Sequence, residues 1–146
     1  MESVAQIQAG QETASPWRYR LDEMAWRDLV ENLKHDSLPF VGLWCDGTDV
    51  HALFMPHGMQ PLAATLALDN ARYPALSPAR PVSSLYERKI FDLYGAEAMW
   101  GTDVRPLIDH DVWSSTMPLA AVPGAAGGNK GMVAFQPSDP LRHALT

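Results

Sequence analysis

The stretch FVGLWCDGTDVHALFM, Phe40 to Met55, decides how this chain is read. FVGLWC and VHALFM are rich in β-branched, aromatic and other apolar residues, the composition of strands. The DGTD between them is short and polar and contains a glycine, so the two runs are expected to fold back on each other as a hairpin. Upstream, WRYRL (Trp17 to Leu21) alternates apolar and basic residues, the period of a half-buried strand. Asp22 is suited to cap a helix. Behind it Trp26, Leu29, Val30 and Leu33 recur at i, i+3, i+4 and i+7, which predicts an amphipathic helix ending near Lys34. Pro39 forbids its continuation. Downstream, PLAATLALD (Pro61 to Asp69) is a further strand. ARYPALSPARP (Ala71 to Pro81), with three prolines, is an extended connector. SLYERKIFDLYG (Ser84 to Gly95) is a second helix, stopped by a glycine suited to a left-handed C-terminal position.

This order predicts an α+β fold, an antiparallel sheet of about four strands with helices packed on one face and an extended C-terminal arm. The expected organisation is a flexible N-terminus over residues 1–15, one domain over 16–113, and a glycine-rich linker and tail over 114–146. The linker is AVPGAAGGNKG, Ala121 to Gly131. With 47% hydrophobic and 19% charged residues the chain reads as globular rather than disordered. A net charge of −6, with the basic residues scattered, argues against a nucleic-acid partner. The sequence has no run apolar and long enough to span a bilayer and no basic-then-apolar leader, which predicts a cytoplasmic location.

Motifs for catalysis are sparse. The single cysteine, Cys45, cannot hold an iron–sulfur cluster or form an internal disulfide, and its apolar surroundings read as core. His51, His57 and His110 show no helical ligand spacing, and there is no HExxH or Cys/His array. GNKG lacks the rest of a phosphate loop. No metal, flavin or other cofactor is expected.

One residue stands out. On a helical projection Tyr86, Ile90, Phe91, Leu93 and Tyr94 form an apolar arc, and Glu87 falls inside it, while Arg88, Lys89 and Asp92 fall outside. A carboxylate in that position needs a partner. Three readings are open. Ser84 and Glu87 are spaced as a capping box, the glutamate reaching back to the N-cap amide. Glu87 could instead form a buried pair with Arg105, just beyond the Gly95 stop, or with an arginine of another subunit.

Tyr73 to Trp113, YPALSPARPVSSLYERKIFDLYGAEAMWGTDVRPLIDHDVW, resembles the signature region of the NADH dehydrogenase C-subunit family, a component of respiratory complex I. Glu87, Arg88, Asp92, Gly95, Gly101, Asp103, Arg105, Leu107 and Trp113 stand at the signature positions. The family's Gly-His-Pro is replaced by Gly101, Thr102 and Asp103, and its Pro-Leu-Arg-Lys-Asp ending is absent after Trp113, with only DPLRHAL near the C-terminus similar to it. These departures look more like the version found with energy-converting [NiFe] hydrogenases such as formate hydrogenlyase. The resemblance implies a protein that is not an enzyme by itself and that packs against a small iron–sulfur subunit and a large subunit. It would reach the inner membrane peripherally, from the cytoplasmic side, through those partners, and could form a homodimer when isolated. The rival readings are a free-standing metal-dependent enzyme using His51, His57 and His110, and a generic ferredoxin-like binding module.

Overall fold

The computed structural model describes residues 2–101. They form three helices and seven strands: α1 (Glu2–Gln8), β1 (Gln11–Glu12), β2 (Arg18–Arg20), α2 (Glu23–Leu33), β3 (Phe40–Cys45), β4 (Asp49–Phe54), β5 (Leu62–Ala67), β6 (Arg72–Pro74), α3 (Ser83–Tyr94) and β7 (Glu97–Met99). The expected hairpin forms. β3 and β4 pair antiparallel with Cys45 opposite Val50 and Trp44 opposite His51. The sheet runs β1-β2-β5-β4-β3, and β6 and β7 make a separate two-stranded sheet. The architecture is α+β.

Alternation along the strands separates two faces of the large sheet. Val50, Ala52 and Phe54 of β4 join Leu62, Ala64 and Leu66 of β5 in a single core. Ile7 of α1, Trp26, Leu29 and Leu33 of α2, and Ile90 of α3 fill the other side of that core. Asp22 caps α2 by accepting from the Ala25 amide at 2.7 Å. Trp26 is fully buried, and its indole N–H donates to the Pro74 carbonyl at 2.8 Å, tying α2 to the small sheet. Gly95 ends α3 in the left-handed region, at φ 73°, donating to Phe91 O, as its position predicted.

Four features depart from the sequence reading. The N-terminus is helical where fraying was expected, and Val4 and Ile7 bury in the core. Two apolar residues three apart carry too little period to announce a seven-residue helix. The sheet is not wholly antiparallel, because β2 lies parallel to β5, with Tyr19 opposite Ala64. The connector is extended only over β6, which pairs parallel with an unforeseen β7. It then turns back on itself, the amides of Ala79 and Arg80 both donating to Leu76 O. Finally Asp92, placed outside the apolar arc, is buried. Asp103, Arg105, His110, Trp113, the glycine-rich stretch and the C-terminal arm lie outside the described residues. Among the described residues no helix is long and apolar enough to cross a membrane.

Candidate functional site

Helix α3 presents Glu87 to the interior, where only 3% of the residue is exposed. It is not a capping box: α3 begins a residue earlier, at Ser83, and Val82 offers no side-chain cap. The carboxylate instead crosses to the connector. Its Oε2 accepts from the backbone amides of Leu76 at 2.7 Å and Ser77 at 3.1 Å, with the Ser83 hydroxyl at 3.4 Å. Two successive N–H groups aimed at one oxygen are a backbone anion site, here filled by the protein's own glutamate. This is why the helix turns a carboxylate inward.

The other oxygen, Oε1, is buried and has no hydrogen-bond partner among the described residues. Gly101 lies against it: a Cβ there would sit 3.5 Å from Oε1 and 3.3 Å from Ala98 O. Two signature positions fourteen residues apart in sequence, Glu87 and Gly101, are thus neighbours. Burial raises the carboxyl above its ordinary value, and the donors from Ser77, Leu76 and Ser83 pull the other way. Nearby Tyr73 is fully buried and its hydroxyl is likewise without a partner among the described residues. Desolvation raises the Tyr73 phenol well above its usual range, and the Glu87 charge adds to the effect.

Arg80, in the same connector, is the counterpart of Glu87. Its guanidinium donates to the carbonyls of Leu33 at 2.6 Å, Asp36 at 3.1 Å and Leu38 at 2.9 Å. It thereby satisfies the Leu33 carbonyl that the end of α2 leaves open, together with two carbonyls of the loop that follows, and its charge suits that negative end. The carboxylate of Asp36 lies 3.4 Å away. Nothing in the spacing of ARYPALSPARP signalled this role.

A second polar cluster occupies the β3–β4 turn and the sheet face away from the helices. Asp46 Oδ1 accepts from the Thr48 amide, the Thr48 hydroxyl and the Asp49 amide at 2.8–3.1 Å, shaping the turn. Its Oδ2 lies 3.0 Å from His51 Nε2, and His51 Nδ1 lies 2.8 Å from Thr65 Oγ1. A carboxylate only accepts, so Nε2 carries the proton. In the neutral ring Nδ1 then accepts from the Thr65 hydroxyl. Trp44 stacks on the imidazole, with centroids 5.3 Å apart. Burial raises the Asp46 carboxyl, but donation from His51 and from the turn outweighs it and holds the group well below the ordinary carboxylate range.

By distance, Asp46, His51 and Thr65 form the hydrogen-bond chain of an acid–histidine–hydroxyl relay. Thr65 is fully buried at the centre of the sheet, so its oxygen cannot meet a substrate. The relay is a structural network. Asp46, Asp49 and His51 also place potential metal-ligating atoms within 4.8 Å of one another. Those atoms are engaged: Asp46 with His51, and Asp49 with Arg20 through two bonds of 3.1 and 3.0 Å. A cation would have to displace both contacts. His57 is exposed on the β4–β5 loop and stands apart from this cluster.

Of the signature positions, the fold brings Glu87 and Gly101 together, uses Gly95 to end α3 and buries Asp92, while Arg88 is half-buried. Comparison with known protein families and with curated proteins finds no match to this chain.

Proposed function

We propose that this chain is a non-catalytic docking component of a membrane-associated redox complex of the complex I or energy-converting [NiFe] hydrogenase kind. On this reading it holds an iron–sulfur subunit and a large subunit together and performs no chemistry of its own. The observation that carries docking is Trp100. It is 64% exposed, its backbone sits at φ 63°, and its ring is held under the Arg27 guanidinium at 4.6 Å. A non-glycine residue at positive φ is strained, and such strain points to a functional constraint. Tryptophan and arginine are also among the residues most enriched at the centres of interfaces. Val82 and Leu85 add exposed apolar surface at the start of α3. The redox assignment rests on the likeness of Tyr73–Trp113 to the NADH dehydrogenase signature.

Affinity purification of the full chain from native membranes tests both parts. The expected result is stoichiometric co-elution with a cysteine-rich small subunit and a larger one, with cluster signals by electron paramagnetic resonance assigned to those partners. Trp100→Ala should weaken that co-elution without unfolding the chain. Recovery of a lone chain with tightly held metal and intrinsic turnover would overturn the proposal.

A further inference from the structure

Three polar groups meet where α3 faces the small sheet. Oε1 of Glu87 and the Tyr73 hydroxyl have no hydrogen-bond partner among the described residues, although both side chains are buried. Tyr73 and Ala98 are register partners across β6 and β7, so their side chains share one face. The Glu87 charge reaches the Tyr73 phenol, which puts the two groups close together. The third group is the Ala98 carbonyl. The place a Cβ would take on Gly101 lies 3.3 Å from Ala98 O and 3.5 Å from Glu87 Oε1, and a glycine keeps it free of side-chain atoms. Ala98 O accepts only a long 3.3 Å bond from the Gly101 amide and has a second lone pair to offer.

The tally of protons decides what fits between them. Oε1 and Ala98 O accept, while the Tyr73 hydroxyl has a proton to give. A cation would serve the two acceptors and leave that proton without a place to go. Water gives two protons and receives one, and about three hydrogen bonds are usual for a buried water. We propose that one water molecule is bound here, donating to Glu87 Oε1 and Ala98 O and accepting from Tyr73. It ties α3 to both strands of the small sheet, and it gives Gly101 a reason, since a methyl group there would crowd the water off the two oxygens. The site stands independently of the redox assignment.

The test is a carbon-13 titration of the Glu87 carboxyl in the full chain, in wild type, Gly101→Ala and Tyr73→Phe. Gly101 does not sit in the left-handed region, so its backbone admits alanine. Burial keeps the wild-type carboxyl above its ordinary 4.5. Gly101→Ala should raise it further, by about 1–2 pH units, because Oε1 loses a donor to its charged form. Tyr73→Phe should raise it by less, since the water keeps its bond to Oε1. A larger rise in Tyr73→Phe, with none in Gly101→Ala, means that the phenol donates to Oε1 directly and overturns the proposal. A wild-type carboxyl below the ordinary range overturns it too, because a cation then sits on Oε1. If Gly101→Ala does not fold, water-selective nuclear Overhauser spectra of the wild type decide. A long-lived water should give a cross-peak to the Gly101 amide, and its absence would sink the proposal.

Discussion

The connector around Glu87 and the hairpin around His51 both bury polar groups, and they do so in opposite ways. In the hairpin, Asp46 shapes a turn with residues two and three positions on and then reaches His51, five positions on. Thr65 on the neighbouring strand completes the set. Each atom has a partner, and nearly all of them come from one short stretch. In the connector the fastenings that fix it to the rest of the fold run between elements: Glu87 to Leu76 and Ser77, Arg80 to Leu33 and Leu38, Trp26 to Pro74. One carboxylate oxygen and one phenol there have no partner among the described residues. A local network closes with the turn that makes it. A long-range one closes only after α2, α3 and the small sheet have met, so it should be the more expensive to cut.

The largest expected loss is at Trp26→Ala, which removes a fully buried indole and strands the Pro74 carbonyl. About 3–5 kcal/mol of stability should go, measured by urea unfolding. Glu87→Ala comes next: two connector amides lose their acceptor, at about 1–3 kcal/mol each when nothing replaces it, while removal of the buried, half-partnered carboxyl offsets part of that, so a net loss of about 2–4 kcal/mol is expected. Thr65→Val keeps shape and strand propensity but leaves His51 Nδ1 without a donor, for about 1–2 kcal/mol. If Thr65→Val proves costlier than Glu87→Ala, the contrast between the two regions fails.

The smallest effect separates them by pH. Asp46 is held below its ordinary value near 3.8 in the folded chain. Its contribution is therefore complete above that value and is lost as pH falls through the lower folded one. Asp46→Asn should therefore lower stability by a small amount above about pH 4, small because the side chain is half exposed, and should meet the wild-type curve as pH falls, flattening the acid limb. Glu87 behaves in the reverse sense. A raised folded value means stability is fullest below its ordinary 4.5 and declines as pH climbs through the folded value. The chain should show that decline, and Glu87→Gln should abolish the slope.

The two regions also differ in what could be read from the chain. FVGLWC, DGTD and VHALFM, the cap at Asp22, the apolar face from Trp26 to Leu33 and the stop at Gly95 were legible, because turns, caps and amphipathic periods are set by near neighbours. Glu87 was legible as an anomaly, a charge on an apolar arc, but its partners were not. Of the three readings of Glu87, the capping box with Ser84 failed because a helix can start one residue early at little cost, while two buried amides of the connector needed an acceptor. The short strands β6 and β7 escaped notice since three residues show no period. Asp92 was misjudged because projection onto a helix gives direction and not what is packed there.

The sequence by itself determined the β3–β4 hairpin, α2 with its buried face, and α3 with its stop at Gly95, since those depend on spacing along the chain. Only the tertiary structure decided that β2 lies parallel to β5, that Arg80 closes the end of α2, and that Glu87 meets the connector amides and Gly101. Buried hydrogen-bonding groups must be satisfied by whatever the packing brings within about 3 Å, and packing pairs residues without regard to their separation in sequence.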